Sequence, residues 1–195
     1  MKKNIILIPT YNEFKNISIK NNKIFKQKIH SDILFIDDNS SDGTKEKIIE
    51  LSRKNRSIKY IFRKKKLGIG SAHKCGFIWC YKKKYKKIIT MDADGTHNPV
   101  YIKKMLYLSK DFNLVTTTRF KNASSLKSWP LWRIFLTNVR HQLLKFFLNL
   151  EFDASGAFRV IDTKIIKLKD ILLSKEDSYS YFWESLYLLK KKKYK

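Results

Sequence analysis

Three clusters of acid and hydroxyl residues each close a short apolar run in this sequence. Asp92-Ala93-Asp94 follows Ile88-Ile89-Thr90-Met91, Asp37-Asp38-Asn39-Ser40-Ser41-Asp42-Gly43-Thr44 follows Ile33-Leu34-Phe35-Ile36, and Pro9-Thr10-Tyr11-Asn12-Glu13 follows Ile5-Ile6-Leu7-Ile8. Side chains two apart on an extended segment point the same way, so Asp92 and Asp94 can serve one site. Hard cations such as Mg²⁺ or Mn²⁺ take one or two carboxylates and fill their shell with phosphate oxygens and water. One aspartate can ligate directly while the other orients a water or a ribose. A cation held there neutralises a departing diphosphate. By itself such an acid pair is more often a surface turn; its place at a strand end is what favours function. Asp37-Asp38 offers a second pair that can accept hydrogen bonds from a nucleobase or ribose. Asp42-Gly43-Thr44 reads as a capping turn, with Asp42 or Ser41 as the cap.

The elements that carry these clusters alternate. The apolar runs read as strands buried on both faces, as in a parallel sheet. Further strands are predicted at 58–62 and 114–118, and helices at 14–28, from the capping turn through Leu51, at 69–84 and at 98–109. Alternation of this kind predicts an α/β doubly wound sheet, mostly parallel and flanked by helices. Ligands of such sheets bind beyond the carboxyl ends of the strands, where all the clusters fall. No repeat or linker interrupts the 195 residues, and one domain spanning 1–195 is expected.

The net charge of +25 points toward phosphate-rich partners, although Lys, Ile and Asn share A/T-rich codons and scattered lysines are ordinary surface residues. Basic charge with aromatics can track single-stranded nucleic acid. No zinc-finger or RNA-recognition pattern accompanies it, however, and acid pairs at strand ends repel phosphate unless a metal is present, so no nucleic-acid partner is expected. Cys75 and Cys80 lack a second pair to complete a zinc site and suggest no disulfide framework, which suits a reducing, cytoplasmic setting. His30, His73 and His97 have no ligand spacing. The apolar run after Met1 is too short for a signal peptide, and no run is long enough to span a membrane.

Taken in order, the three clusters resemble glycosyltransferase family 2, and in particular its polyprenol (dolichol)-phosphate mannosyltransferase branch. Leu67-Gly68-Ile69-Gly70-Ser71-Ala72 with Gly76-Phe77, Thr118-Arg119-Phe120, Trp129-Pro130-Leu131-Trp132-Arg133 and Ser155-Gly156-Ala157-Phe158-Arg159 are similar to that branch's later segments. Each segment alone is weak; in register they are strong. The resemblance implies a GT-A (Rossmann-like) fold and an inverting, metal-dependent transferase. The implied donor is a nucleotide sugar, foremost GDP-mannose, and the implied acceptor a polyprenyl or dolichyl monophosphate. UDP-glucose or a glycan hydroxyl are the alternatives. It also implies roles for Pro9, Tyr11, Glu13, Asp38, Asp92 and Ala93 at the nucleotide, and for Asp94 as principal metal ligand beside Asp92. Thr96 stands where another metal-proximal side chain is common. Arg119 and Arg133 fall where relatives meet donor and acceptor phosphates, and a guanidinium fork suits a phosphate oxygen pair. Arg140 reads as a solvated surface charge. The family's glycine-rich stretch after the first of these arginines is replaced by Lys121-Asn122-Ala123-Ser124-Ser125-Leu126-Lys127-Ser128, and relatives continue past the point matching Lys195.

Residues 131–150 predict a helix with Trp132, Phe135, Leu136, Val139, Leu143, Phe146, Phe147 and Leu150 set apart from basic residues. Periodicity alone favours a helix packed on the sheet. The resemblance favours a membrane-interface helix over 130–150, placing the protein peripherally on the cytoplasmic face.

Overall fold

The computed structural model describes residues 4–120, 130–150 and 152–195, the side chain of Arg133 excepted. The first half alternates strictly: β1 (Asn4–Thr10), α1 (Phe14–Lys26), β2 (Ser31–Asp37), α2 (Thr44–Lys54), β3 (Ile58–Phe62), α3 (Ile69–Lys82) and β4 (Lys87–Thr90). A 3₁₀ turn (Pro99–Tyr101) then leads into α4 (Ile102–Leu108), followed by β5 (Leu114–Thr116), α5 (Leu131–Leu148), β6 (Arg159–Asp162), α6 (Leu168–Ile171) and α7 (Tyr181–Lys191).

The sheet order is β3-β2-β1-β4-β6-β5. Strands β1 to β4 run parallel, whereas β6 lies antiparallel to both β4 and β5. The chain therefore builds outward from β1 to β3 and returns to place β4 on the other side of β1. That reversal opens a crevice beyond the carboxyl ends of β1 and β4, the place where sheets of this kind bind ligands.

The continuous apolar runs form central strands because both of their faces are covered. Ile5, Leu7, Leu34 and Ile36 join Ala72 and Phe77 of α3, Ile171 of α6 and Phe182 of α7. Their neighbours Ile6, Ile8, Ile33 and Phe35 face the other way, onto Ile17 and Ile24 of α1, Ile48 of α2 and Ile102 of α4. Period-two alternation thus feeds two cores at once.

Periodicity predicts the elements up to α5 but not β6, α6 or α7. Strand β6 is a short stretch, Arg-Val-Ile-Asp, whose partners are distant in sequence. Strand β5 stops at Thr116 rather than 118, although the Thr117 amide still donates to the Phe158 carbonyl at 3.2 Å.

The glycines of the 67–77 segment have a packing reason. Gly68 sits at φ 96° with the Asp177 carbonyl where a Cβ would fall. At Gly76 a Cβ would lie 2.3 Å from Leu7 and 2.4 Å from Ile36, so α3 touches the sheet only because that side chain is missing. Gly76→Ala is expected to lower the unfolding free energy by about 1–3 kcal/mol through overpacking, read from urea denaturation midpoints.

Candidate functional site

The loops after β1 and β2 are stitched into one rim. Asn12 and Asn39 both take positive φ, as asparagine tolerates. The Asn12 amide donates to Ser40 Oγ at 2.8 Å, and the Ser41 amide to Asn12 Oδ1 at 3.0 Å. Asp37 is wholly buried and accepts from Thr10 and Ser40, so it serves the rim's structure. Asp42 accepts from both Phe14 and Thr44 amides and ties the starts of α1 and α2 together. The formal cap position is Gly43, so the capping role expected of Asp42 is filled one residue early.

This rim presents Pro9, Tyr11, Glu13 and Asp38. Tyr11 is exposed, with the Lys66 ammonium 3.8 Å from its ring centre. Glu13 accepts from Asn16 at 2.7 Å. The Asp38 carboxylate is buried, pairs with Arg63 at 2.7 Å, and accepts from the Leu67 and Gly68 amides at 3.0 and 3.1 Å. It therefore anchors the basic 63–68 loop at the crevice edge.

Across the switch point, Asp92-Ala93-Asp94 leaves β4 with Ala93 buried between two more accessible aspartates. Burial and the Asp94 charge push the Asp92 carboxyl up to about 7, against opposing pulls from Lys20 and Arg119. Thr96 donates through its amide and hydroxyl to Asp94 Oδ1, at 3.0 and 2.7 Å. His97 closes the turn. Its Nδ1 accepts from the Asp92 amide at 2.9 Å, its ring stacks on Phe158 at 5.1 Å, and burial lowers its pKa to about 4. Lys20 of α1, only 2% exposed, donates to the His97 carbonyl at 2.8 Å. The sequence gives no signal that Lys20 is buried here, because its contact with the turn spans 77 residues of chain.

Arg119 lies just beyond β5 and bonds through Nε to Asp153 at 2.9 Å and through Nη2 to Ser155 at 3.1 Å. Burial alone would raise the Asp153 carboxyl, yet the Arg119 charge and the bonds from Ser155 and Arg119 hold it below the usual range. Arg140 on α5 is exposed, the surface position that its sequence suggests. Partial burial and repulsion from Arg119 lower its pKa, and Asp153 partly restores it. Phe120 and His141, the chain neighbours of these two arginines, stack at 4.0 Å. Arg133 lies on the same helix with its side chain outside the described residues, as is the whole stretch 121–129. Outward from this point, α5 exposes Trp132, Phe135, Leu136, Leu143, Phe146 and Phe147. Leu150, by contrast, is buried past the helix end beside Ala154 and Leu186. No helix among the described residues is long and apolar enough to cross a membrane.

The sheet reversal, acid pair and arginines lie within a segment matched by a family model. The model for glycosyl transferase family 2 matches residues 5–168. The chain belongs to glycosyl transferase family 2. Among curated relatives it is 27% identical over 186 residues to a polyprenol monophosphomannose synthase of Mycolicibacterium smegmatis, covering 94% of this chain and 69% of the relative. It is 25% identical to an undecaprenyl-phosphate mannosyltransferase of Micrococcus luteus, over 91% of this chain and 73% of that one. A dolichol-phosphate mannosyltransferase of Saccharomyces cerevisiae is 26% identical over 72% of this chain, which spans 54% of its length. Among solved structures, glucosyl-3-phosphoglycerate synthase of Mycobacterium tuberculosis, determined with Mn²⁺, UDP and phosphoglyceric acid, superposes with a TM-score of 0.67 at 14% identity. That match covers 95% of this chain and 63% of that one. TarS of S. aureus follows at 0.64 and 18%, over 97% of this chain and 55% of its own. These likenesses establish the GT-A fold.

A divalent cation fits the acid pair of this family 2 chain. Asp92 Oδ1 is buried without a hydrogen-bond partner among the described residues, an oxygen left for a ligand. With no third His, Cys, Asp or Glu converging among the described residues, the donor set suits a cation whose shell is completed by phosphate oxygens and water.

The sign of the Asp92 shift gives a test on the metal-free protein. Its folded pKa of about 7 exceeds the unfolded value, so ionised Asp92 costs stability fully above pH 7 and progressively less as pH falls toward 4. Asp92→Asn is accordingly expected to stabilise the metal-free protein at pH 8 by roughly 1–2 kcal/mol, solvent screening allowed for, with the gain shrinking toward pH 4 in thermal melts.

Proposed function

We propose that this chain transfers mannose from GDP-mannose to a polyprenyl or dolichyl monophosphate, with inversion and with Mg²⁺ or Mn²⁺ at Asp92 and Asp94. The observation that carries the reading is the juxtaposition of opposite charges across one crevice. The acid pair suits a cation and its diphosphate. Arg119 leaves the same edge of the sheet, because Thr90 of β4 and Thr116 of β5 both pair with Arg159 of β6, and so can meet a second phosphate. The mannosyltransferase names of the curated relatives supply the sugar and the lipid class.

Pro9, Tyr11, Glu13, Asp38 and Ala93 line the nucleotide side in this reading. Asp94 is the principal ligand, with Asp92 and the Thr96 hydroxyl beside it. A bound cation supplies charge neutralisation of the leaving diphosphate. Arg119 and Arg133 hold the acceptor phosphate, and Arg140 adds a third guanidinium at that end. A phosphomonoester is already anionic near neutral pH, so its oxygen attacks the anomeric carbon without a general base. The sugar–diphosphate bond breaks on the opposite face. No covalent enzyme intermediate forms, and catalysis consists of positioning and charge neutralisation.

The lipid reaches the crevice along α5 in the same reading. This helix carries basic residues, no acidic ones, and a bulky apolar face in water, with Trp132 65%, Phe146 82% and Phe147 72% exposed. Such a face suits the headgroup boundary of an anionic leaflet. The free Cys75 and Cys80 thiols suit the cytoplasmic side of that membrane.

The test supplies GDP-mannose or UDP-glucose with a polyprenyl phosphate and Mn²⁺ and identifies the glycolipid formed. Mannosyl lipid is expected from the wild type, with turnover falling about a hundredfold or more in Asp94→Ala. Arg140→Ala is expected to raise the acceptor KM about tenfold and leave the donor KM unchanged. A glucosyl product, or no lipid product at all, overturns the assignment. In sedimentation with anionic vesicles, Phe146→Ser together with Phe147→Ser should release most of the bound protein.

A further inference from the structure

We propose that Lys20 is a positioning residue for the acid pair: its ammonium, sealed beneath the turn between Asp92 and His97, holds that turn ready for a cation before any cation arrives. The proposal rests on the metal reading of Asp92 and Asp94 and extends it to a residue of α1.

Helix α1 buries Ile17, Lys20, Asn21 and Ile24, the spacing of a core-facing stripe. Lysines 15, 23 and 26 of the same helix stay in solvent. Placing an ammonium in that stripe is costly unless something on the far side compensates. Two things do. The His97 carbonyl accepts from Nζ at 2.8 Å, and the fields of Asp94 and Asp92 favour the charged form, against the stronger effect of burial.

The contact leads directly to the ligand backbone. The ring of His97 accepts from the Asp92 amide and is clamped flat on Phe158. Lys20 therefore holds one end of a short turn whose other end is the first aspartate. Two carboxylates on one turn repel and tend to open it. A fixed positive charge on the protein side counters that tendency and leaves the solvent side for the cation. The same charge also repels an incoming cation, so the two effects have opposite signs in a binding measurement.

The experiment compares wild type and Lys20→Met with GDP present, measuring Mn²⁺ affinity by electron paramagnetic resonance. Amide hydrogen exchange of residues 92–97 is followed in the metal-free proteins. Loss of the charged hydrogen bond should weaken Mn²⁺ binding about tenfold and speed exchange in the turn about tenfold, with protection in β1 and β2 kept. Lys20→Gln, neutral but still polar, carries the same two readouts if the methionine variant does not fold. Equal or tighter Mn²⁺ binding in the neutral variant overturns the proposal. Asp94→Ala separates the two levels: if it still takes up Mn²⁺, the metal reading and this proposal fall together. If Asp94→Ala loses Mn²⁺ while Lys20→Met binds it like the wild type, only the role of Lys20 falls.

Discussion

Two carboxylates held on one turn at the end of a buried strand repel each other, and much of this molecule is arranged around that repulsion. Asp92 carries the consequence, with a pKa pushed to about 7 by burial and by Asp94. The surroundings answer with fixed groups: Lys20 underneath, Arg119 across the crevice, and the His97 ring pinning the Asp92 amide.

Charge is sorted by depth and side. The acid pair lies at the switch point between β1 and β4, where the reversed strand order leaves room for a ligand. Arg119 lies farther out, just beyond β5 and paired with Asp153, and the neighbouring Phe120 stacks on His141 of α5. Beyond them α5 turns its aromatic face to solvent.

Glycines and loop bonds hold these parts in place. Gly76 lets α3 lie against Leu7 and Ile36, and Asp38 holds the basic loop before α3 through Arg63, Leu67 and Gly68. The Asn12–Ser40–Asp37 chain of bonds joins the first two loops, so Tyr11 is presented from a braced rim.

The amino-acid sequence by itself determined the alternation of elements, the burial of Ile5 to Ile8 and Ile33 to Ile36, and the placing of acid clusters at strand ends. Those features are local: hydrophobic period and turn chemistry act over a few neighbouring residues. Only the tertiary structure decided that Lys20 bonds to the turn after the acid pair, that Arg119 pairs with Asp153, and that β6 closes the sheet against β4. It also decided that the apolar face of α5 stays uncovered, although periodicity favoured a packed helix. These are contacts between residues far apart in the chain. A lysine, a histidine or an amphipathic helix looks the same in sequence whether buried against aspartates or standing in water, and only packing distinguishes the two.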